Sequence, residues 1–348
     1  MNNAKKEKGM LPVKYPVITS YTSDAHMLAI LNSYPSTEEW IFNHYINLWG
    51  EAPLVCNGFS MLRFHSWSIR KSCPYFKISN YDKKFFGSAI SEFIIAKIDA
   101  GNYVATLYDP YYIQASNLYK KVHIEHEMLI CGYDRKIKMF YIADFFENNR
   151  YTFTTAPFDC VEQAISHVLE SELFSFDEIE YHAANYKFSY YFFYNSLNNF
   201  LSSKNTAAEN ENVIIGKVES EQIQKGLYIF GINNYRLLKQ ALSETAHDQT
   251  GFYLLKSMHV LYDHKVMMCE RLKYLSNAGR IDIPAPIADE YENIKNLSLI
   301  NRNLFLKYIF TRDYKLTDKI INNTTIIESL EIETITELIK IISANTIL

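Results

Sequence analysis

The sequence predicts an α+β chain that changes character near its middle. Three observations carry this. Residues 123–145, HIEHEMLICGYDRKIKMFYIADF, read as two strands joined by a short polar turn. Several upstream segments have helical patterning and end at Pro35, Gly50 or Gly101. Downstream, Leu254, Met258, Leu261, Met268, Leu272 and Leu275 recur three or four residues apart, as one helical stripe interrupted by Lys265. A boundary within 171–180 follows, giving a mixed domain over 1–175 and a helical domain over 176–348.

The elements follow in order. LPVKYPVITSY is an extended lead, and SDAHMLAILNSYP a helix with Ser23 or Asp24 as its cap and Pro35 as its stop. STEEWIFNHYINLWG predicts a second helix, opened by a Ser36–Glu39 capping box and closed at Gly50. SAISEFIIAKIDAG predicts a third, stopped by Gly101, and YVATLYD the strand that follows. After the hairpin come a strand, YTFTT, and a helix, FDCVEQAISHVLES. SSKNTAAENEN, residues 202–212, reads as a solvated loop. The ring-rich YKFSYYFFYNSLNNFL beside it supplies core to the helical half.

Length and composition narrow the function classes. With 348 residues, 48% hydrophobic and 15% aromatic, the chain can bury two cores. A net charge of −4 gives no electrostatic grip on nucleic acid. The opening MNNAKKEKGMLPVKYP is polar, unlike an export signal, and no apolar run is long enough to span a bilayer. The five cysteines are scattered with no C-x-x-C pair, which fits a reducing cytoplasm.

The hairpin carries the first chemical signal. A turn at Asp134-Arg135-Lys136 places Tyr133 opposite Ile137 and His126 opposite Asp144. Facing Cβ atoms in such a pair lie about 4.5–5.5 Å apart, within reach of an imidazole–carboxylate hydrogen bond. The pair is either a cross-strand ion pair or two members of a triad, in which the aspartate fixes the tautomer and frees the other nitrogen as a base. A slip of one residue would separate the two onto opposite faces. His123 and His126 point to opposite sides of a strand, so they do not share a metal ion, and no metal site is expected.

HEMLICGYD followed by FYIAD resembles the His and Asp segments of C39-like papain-superfamily cysteine peptidases. More closely, the chain resembles the butirosin biosynthesis protein H family of acyltransferases, through EEWIFNHYINL, IDAGNYVATLYDPYYI, GINNYRLL, YDHKVMMCERLKYL and NRNLFLKY in that order. The resemblance implies a papain-like (C39-type) first domain and thiotemplated acyl transfer. An acyl group would pass from a carrier-protein thioester, through an active-site cysteine, to a small amine. No cofactor beyond the carrier's phosphopantetheine is implied. His126 would be the base and then the acid, and Asp144 its orienter.

The resemblance also places the cysteine at the start of the first helix, where the helix dipole and the histidine lower its pKa. The matching residue is Ala25, which cannot attack. Either a cysteine has been replaced or the protein is naturally degenerate. Cys56 is the alternative nucleophile, with burial as a small apolar residue its simpler explanation. Cys73, Cys131, Cys160 and Cys269 are weaker candidates. The glutamine that papain-like enzymes place before the cysteine as oxyanion donor is missing from Thr19, Ser20, Tyr21 and Thr22. Thr19, Ser20 and Tyr21, or backbone N–H groups, are the candidates for that role. A true cysteine peptidase and a non-catalytic carrier-binding module remain the other readings.

Overall fold

The computed structural model describes residues 6–51, 62–64, 70, 72–85, 89–205, 227–244 and 251–345. The fold is α+β, as the patterning predicts. It divides into two units, Met1–Glu38 with Cys73–Tyr186, and Glu39–Ser72 with Lys187–Leu348. The expected single cut at 175/176 is therefore corrected in two ways. Residues 176–181 form a strand of the first unit, and residues 39–72 leave the first half of the chain for the second unit.

The strands, in chain order, are β1 Lys8–Met10, β2 Leu48–Glu51, β3 Leu62–Phe64, β4 Phe76–Asn80, β5 Asn102–Tyr108, β6 His126–Asp134, β7 Met139–Phe145, β8 Tyr151–Pro157, β9 Phe176–Tyr181 and β10 Tyr228–Phe230. In the first unit the antiparallel order is β4-β9-β5-β6-β7-β8, with β1 added to β6. Helix α1, Thr22–Leu31, covers one face through Ala25, Ala29 and Ile30, against Tyr103, Ala105, Leu129 and Ala143. The other face carries Val104, Tyr108, Met128, Ile130 and Ile142. These pack with Ile94 and Ile98 of the next long helix, Ile90–Asp99, and with Val161 and Ile165 of Phe158–Val168. Alternation along the strands sorts the two cores.

The local forecasts fare unevenly. Gly101, at φ +90°, ends Ile90–Asp99 as foreseen. Helix α1 starts at Thr22 after Tyr21 and receives no side-chain cap, so neither Ser23 nor Asp24 caps it. The second helix, α2, is only Glu38–Asn43, entered through a 3-10 turn at Pro35–Thr37, and Gly50 lies in β2. Its capping box does not form because both partners are engaged elsewhere. Ser36 Oγ meets Tyr181 OH at 3.3 Å, while the Glu39 carboxylate accepts from Phe188 N and Arg280, both at 2.6 Å. Most of the loop read at 202–212 lies outside the described residues.

The second unit pairs a small β10-β2-β3 sheet with helices. With Ile90–Asp99 as α3 and Phe158–Val168 as α4, these are α5 Tyr190–Leu201, α6 Asn234–Glu244, α7 Gly251–Asn277, α8 Ala285–Thr311 and α9 Lys315–Asn345. All six apolar stripe residues of α7 are buried, as their spacing predicts. Lys265 is buried among them, where it meets Glu331 of α9.

Buried histidines set an acid limit on both units. Removal from water pushes His26 and His264 below the ordinary histidine value, and His44 to about 4. In the unfolded chain each takes a proton near about 6.5. Between those values the unfolded state holds more protons, so stability is complete above about 6.5 and falls as pH drops. Each histidine removes up to about 1.4 kcal/mol per pH unit in that window. Urea midpoints are expected to fall clearly from pH 7 to pH 5, and equal midpoints would contradict the burial assigned to these rings.

Candidate active site

The hairpin brings His126 and Asp144 together, by a route different from the predicted one. The turn is not Asp134-Arg135-Lys136. Asp134 pairs with Met139, and residues 135–138 form the loop, with Lys138 left-handed at φ +54°. Asp134 Oδ1 accepts from Lys136 N at 3.0 Å and Ile137 N at 3.3 Å, which fixes that bend. Carried unbroken from Asp134↔Met139, this register would put His126 and Asp144 on opposite faces.

A bulge between Ile130 and Gly132 corrects it. The ladder resumes as Ile130↔Ile142 and Leu129↔Ala143, with Cys131 as the extra residue. Continued, that register sets Asp144 opposite Met128, diagonal to His126 and on its face. Diagonal neighbours lie about 7–8 Å apart, a gap that a histidine and an aspartate can close. Gly132, next to the bulge, lets β1 lie close against β6, because a Cβ there would meet Gly9 O at 2.7 Å and Met10 Cα at 3.1 Å.

His126 Nδ1 lies 2.7 Å from Asp144 Oδ2, and Tyr108 OH donates to the same oxygen at 2.7 Å. A carboxylate only accepts, so the imidazole holds its Nδ1 proton and presents Nε2 as the base. Asp144 is 2% exposed and the His126 side chain 36%, so the carboxylate is dry while the imidazole reaches solvent. Burial and the Asp144 charge raise the Tyr108 hydroxyl well above its usual value, so it stays a neutral donor. Asp144 Oδ1 is buried without a hydrogen-bond partner among the described residues.

Three residues of this neighbourhood were not picked out from the sequence. Tyr108 is one; it pairs with His126 across β5 and β6. The others are His26 and Tyr151. His26 Nδ1 meets Tyr151 OH at 2.8 Å, and its Nε2 meets Glu127 O at 3.4 Å. These contacts tie α1 to β6 beside His126. Tyr108 was readable as the last ring of YVATLY, but its partner depended on the β5–β6 register.

The proposed nucleophile position is displaced. Ala25 is not the helix start; that is Thr22, and Ala25 N already donates to Tyr21 O at 2.9 Å within the helix. Its side chain is fully buried with Leu129, Cys131 and Ala143. Those strand positions alternate with His126 and Asp144, so Ala25 and the imidazole lie on opposite faces of the sheet. Of the oxyanion candidates, Thr19, Ser20 and Tyr21 sit directly before α1, and Ser20 Oγ is buried with no partner among the described residues. Ser91, in the first turn of α3 on the His126 face, also has an orphan Oγ.

Cys56 lies outside the described residues. Cys73, Cys131 and Cys269 are buried, and withdrawal from water pushes each thiol up to about 12, the reverse of an activated nucleophile. Cys160 is half-buried, and its thiol too is raised, by burial and then by Asp159. His123 and His126 take separate carboxylates, Asp109 and Asp144.

No protein-family model matches this chain, and no curated protein matches it significantly. Among the described residues no helix is long and apolar enough to cross a membrane.

Proposed function

We propose that the first unit is a papain-like acyl-transfer domain in which His126 moves the proton and Asp144 orients it. The carrying observation is the 2.7 Å Nδ1–Oδ2 contact, with the carboxylate buried and held again by Tyr108. A dry carboxylate on one imidazole nitrogen of a part-exposed histidine is what general-base chemistry needs. Resemblance supplies the substrates: a carrier-protein acyl thioester and a small amine.

In such a transfer a cysteine thiolate within reach of His126 attacks the thioester carbon, and the carrier thiol leaves with a proton from His126. The amine then attacks the acyl-enzyme, and its proton returns through His126 to the cysteine. Ala25 supplies no such thiol, and it lies on the face of the sheet away from the imidazole.

A second reading has its own observation. Ala25 is packed dry on the other sheet face, as a structural residue would be. A non-catalytic module that binds an acylated carrier fits that placement. Ala25→Cys separates the two. Offered a panel of acyl-carrier proteins, this variant gains the acyl mass on residue 25 in intact-protein mass spectrometry only if α1 moves to bring that buried position to the imidazole. Thr22→Cys, at the true helix start, is the companion variant. If neither gains an adduct while carrier binding persists, the module reading replaces the enzyme.

A further inference from the structure

We propose that Asp109, His123 and His167 form a binding site for a divalent transition-metal ion of the zinc class, distinct from the His126–Asp144 pair. The three come from different places in the first unit. Asp109 follows the end of β5, His123 lies in the segment before β6, and His167 is in the last turn of α4. His123 Nδ1 lies 2.5 Å and His167 Nδ1 2.9 Å from the same carboxylate oxygen, Asp109 Oδ2. One ligand atom from each residue falls within 4.8 Å of the other two.

The surroundings hold these donors in place. Asp109 Oδ1 accepts from Tyr111 N at 2.9 Å, and Asp109 N donates to Ala164 O at 2.9 Å, which fixes the carboxylate against α4. The His123 ring stacks on Tyr111 at 3.9 Å and on His167 at 4.7 Å. Asp109 is 1% exposed, whereas the His123 and His167 side chains are 48% and 46% exposed. A buried anion therefore sits beneath two imidazoles that open to solvent.

Two imidazole nitrogens and a carboxylate oxygen are the donors that zinc, cobalt and nickel take, and that magnesium and calcium do not favour. Around a tetrahedral ion, ligand atoms about 2.0–2.1 Å from the metal lie about 3.3 Å apart. The imidazoles need to retreat from Asp109 by less than about 1 Å, and both belong to exposed side chains. Three protein ligands leave the fourth position to water or to a small ligand. Sequence spacing hides this site: the three residues form no motif, and only the strand–loop–helix packing unites them.

The site is tested by equilibrium dialysis of the chelator-stripped full chain against Zn2+, with Co2+ visible absorption as the second readout. One equivalent is expected to bind, without competition from Mg2+. Substituting even an outer-shell partner costs about 10–100-fold in metal affinity, so His123→Ala with His167→Ala is expected to cost more than tenfold. His123→Gln with His167→Gln serves if the alanine pair misfolds by circular dichroism. Absence of Zn2+ binding at micromolar concentration, or a loss below tenfold in the folded double variant, shows a hydrogen-bonded cluster only and overturns the proposal.

Discussion

Glu331→Ala is expected to destabilise the second unit by about 3–5 kcal/mol, because it strands a buried ammonium. Glu331 and Lys265 are each 0% exposed and ion-paired. Four helices converge on this carboxylate. Lys265 comes from α7 and Glu331 from α9, while Tyr235 OH of α6 donates at 2.6 Å and Tyr291 OH of α8 lies at 3.4 Å. The ammonium also donates to His264 Nδ1 at 2.9 Å, and His264 Nε2 donates to Ile46 O at 2.7 Å. Burial pulls Lys265 below the usual lysine value while Glu331 pushes it back up. Without Glu331 the main group opposing that pull is gone. The pair itself is not a large source of stability, since desolvation offsets most of its attraction. Lys265→Met with Glu331→Leu should therefore recover most of the loss. Urea denaturation of the two variants measures both quantities. A Glu331→Ala cost below about 1 kcal/mol would mean that water reaches the pair.

Much of the first unit was legible because its signals are local. Alternation marked β5 to β8, Gly101 stopped α3, and the spacing on α7 named its buried stripe. The His126–Asp144 contact was legible only through parity. The predicted turn was wrong, and the Cys131 bulge restored the two residues to one face. A one-residue bulge leaves no mark in a hairpin's alternating pattern. The failures share a cause, since tertiary partners outbid local ones. Glu39 serves Arg280 and Phe188 rather than the N-terminus of α2, and residues 39–72 join a unit whose remainder begins at Lys187. The side of the sheet that α1 covers was equally invisible, so Ala25 could be placed on a helix but not against His126.

Asp144→Asn should remove the directional hold on His126. An asparagine can offer its amide N–H to Nδ1, which favours the tautomer with the proton on Nε2 and removes the basic lone pair from that nitrogen. Nitrogen NMR of the His126 ring reads this without any activity. The unaltered chain is expected to show Nδ1 protonated and Nε2 unprotonated, and Asp144→Asn to shift the population toward the other form. Tyr108→Phe keeps the aspartate and removes one donor from Oδ2, so it should leave the tautomer in place. In an Ala25→Cys or Thr22→Cys background that accepts acyl groups, Asp144→Asn should slow acyl transfer by about 10²–10⁴-fold, the range for a positioned general base. The rate should also lose its dependence on a single basic group in the pH profile. Should Nε2 carry the proton in the unaltered chain, or should both tautomer and rate ignore Asp144→Asn, the pair is a cross-strand ion pair and nothing more. That outcome would leave His126 with no catalytic assignment, whatever thiol is placed beside it.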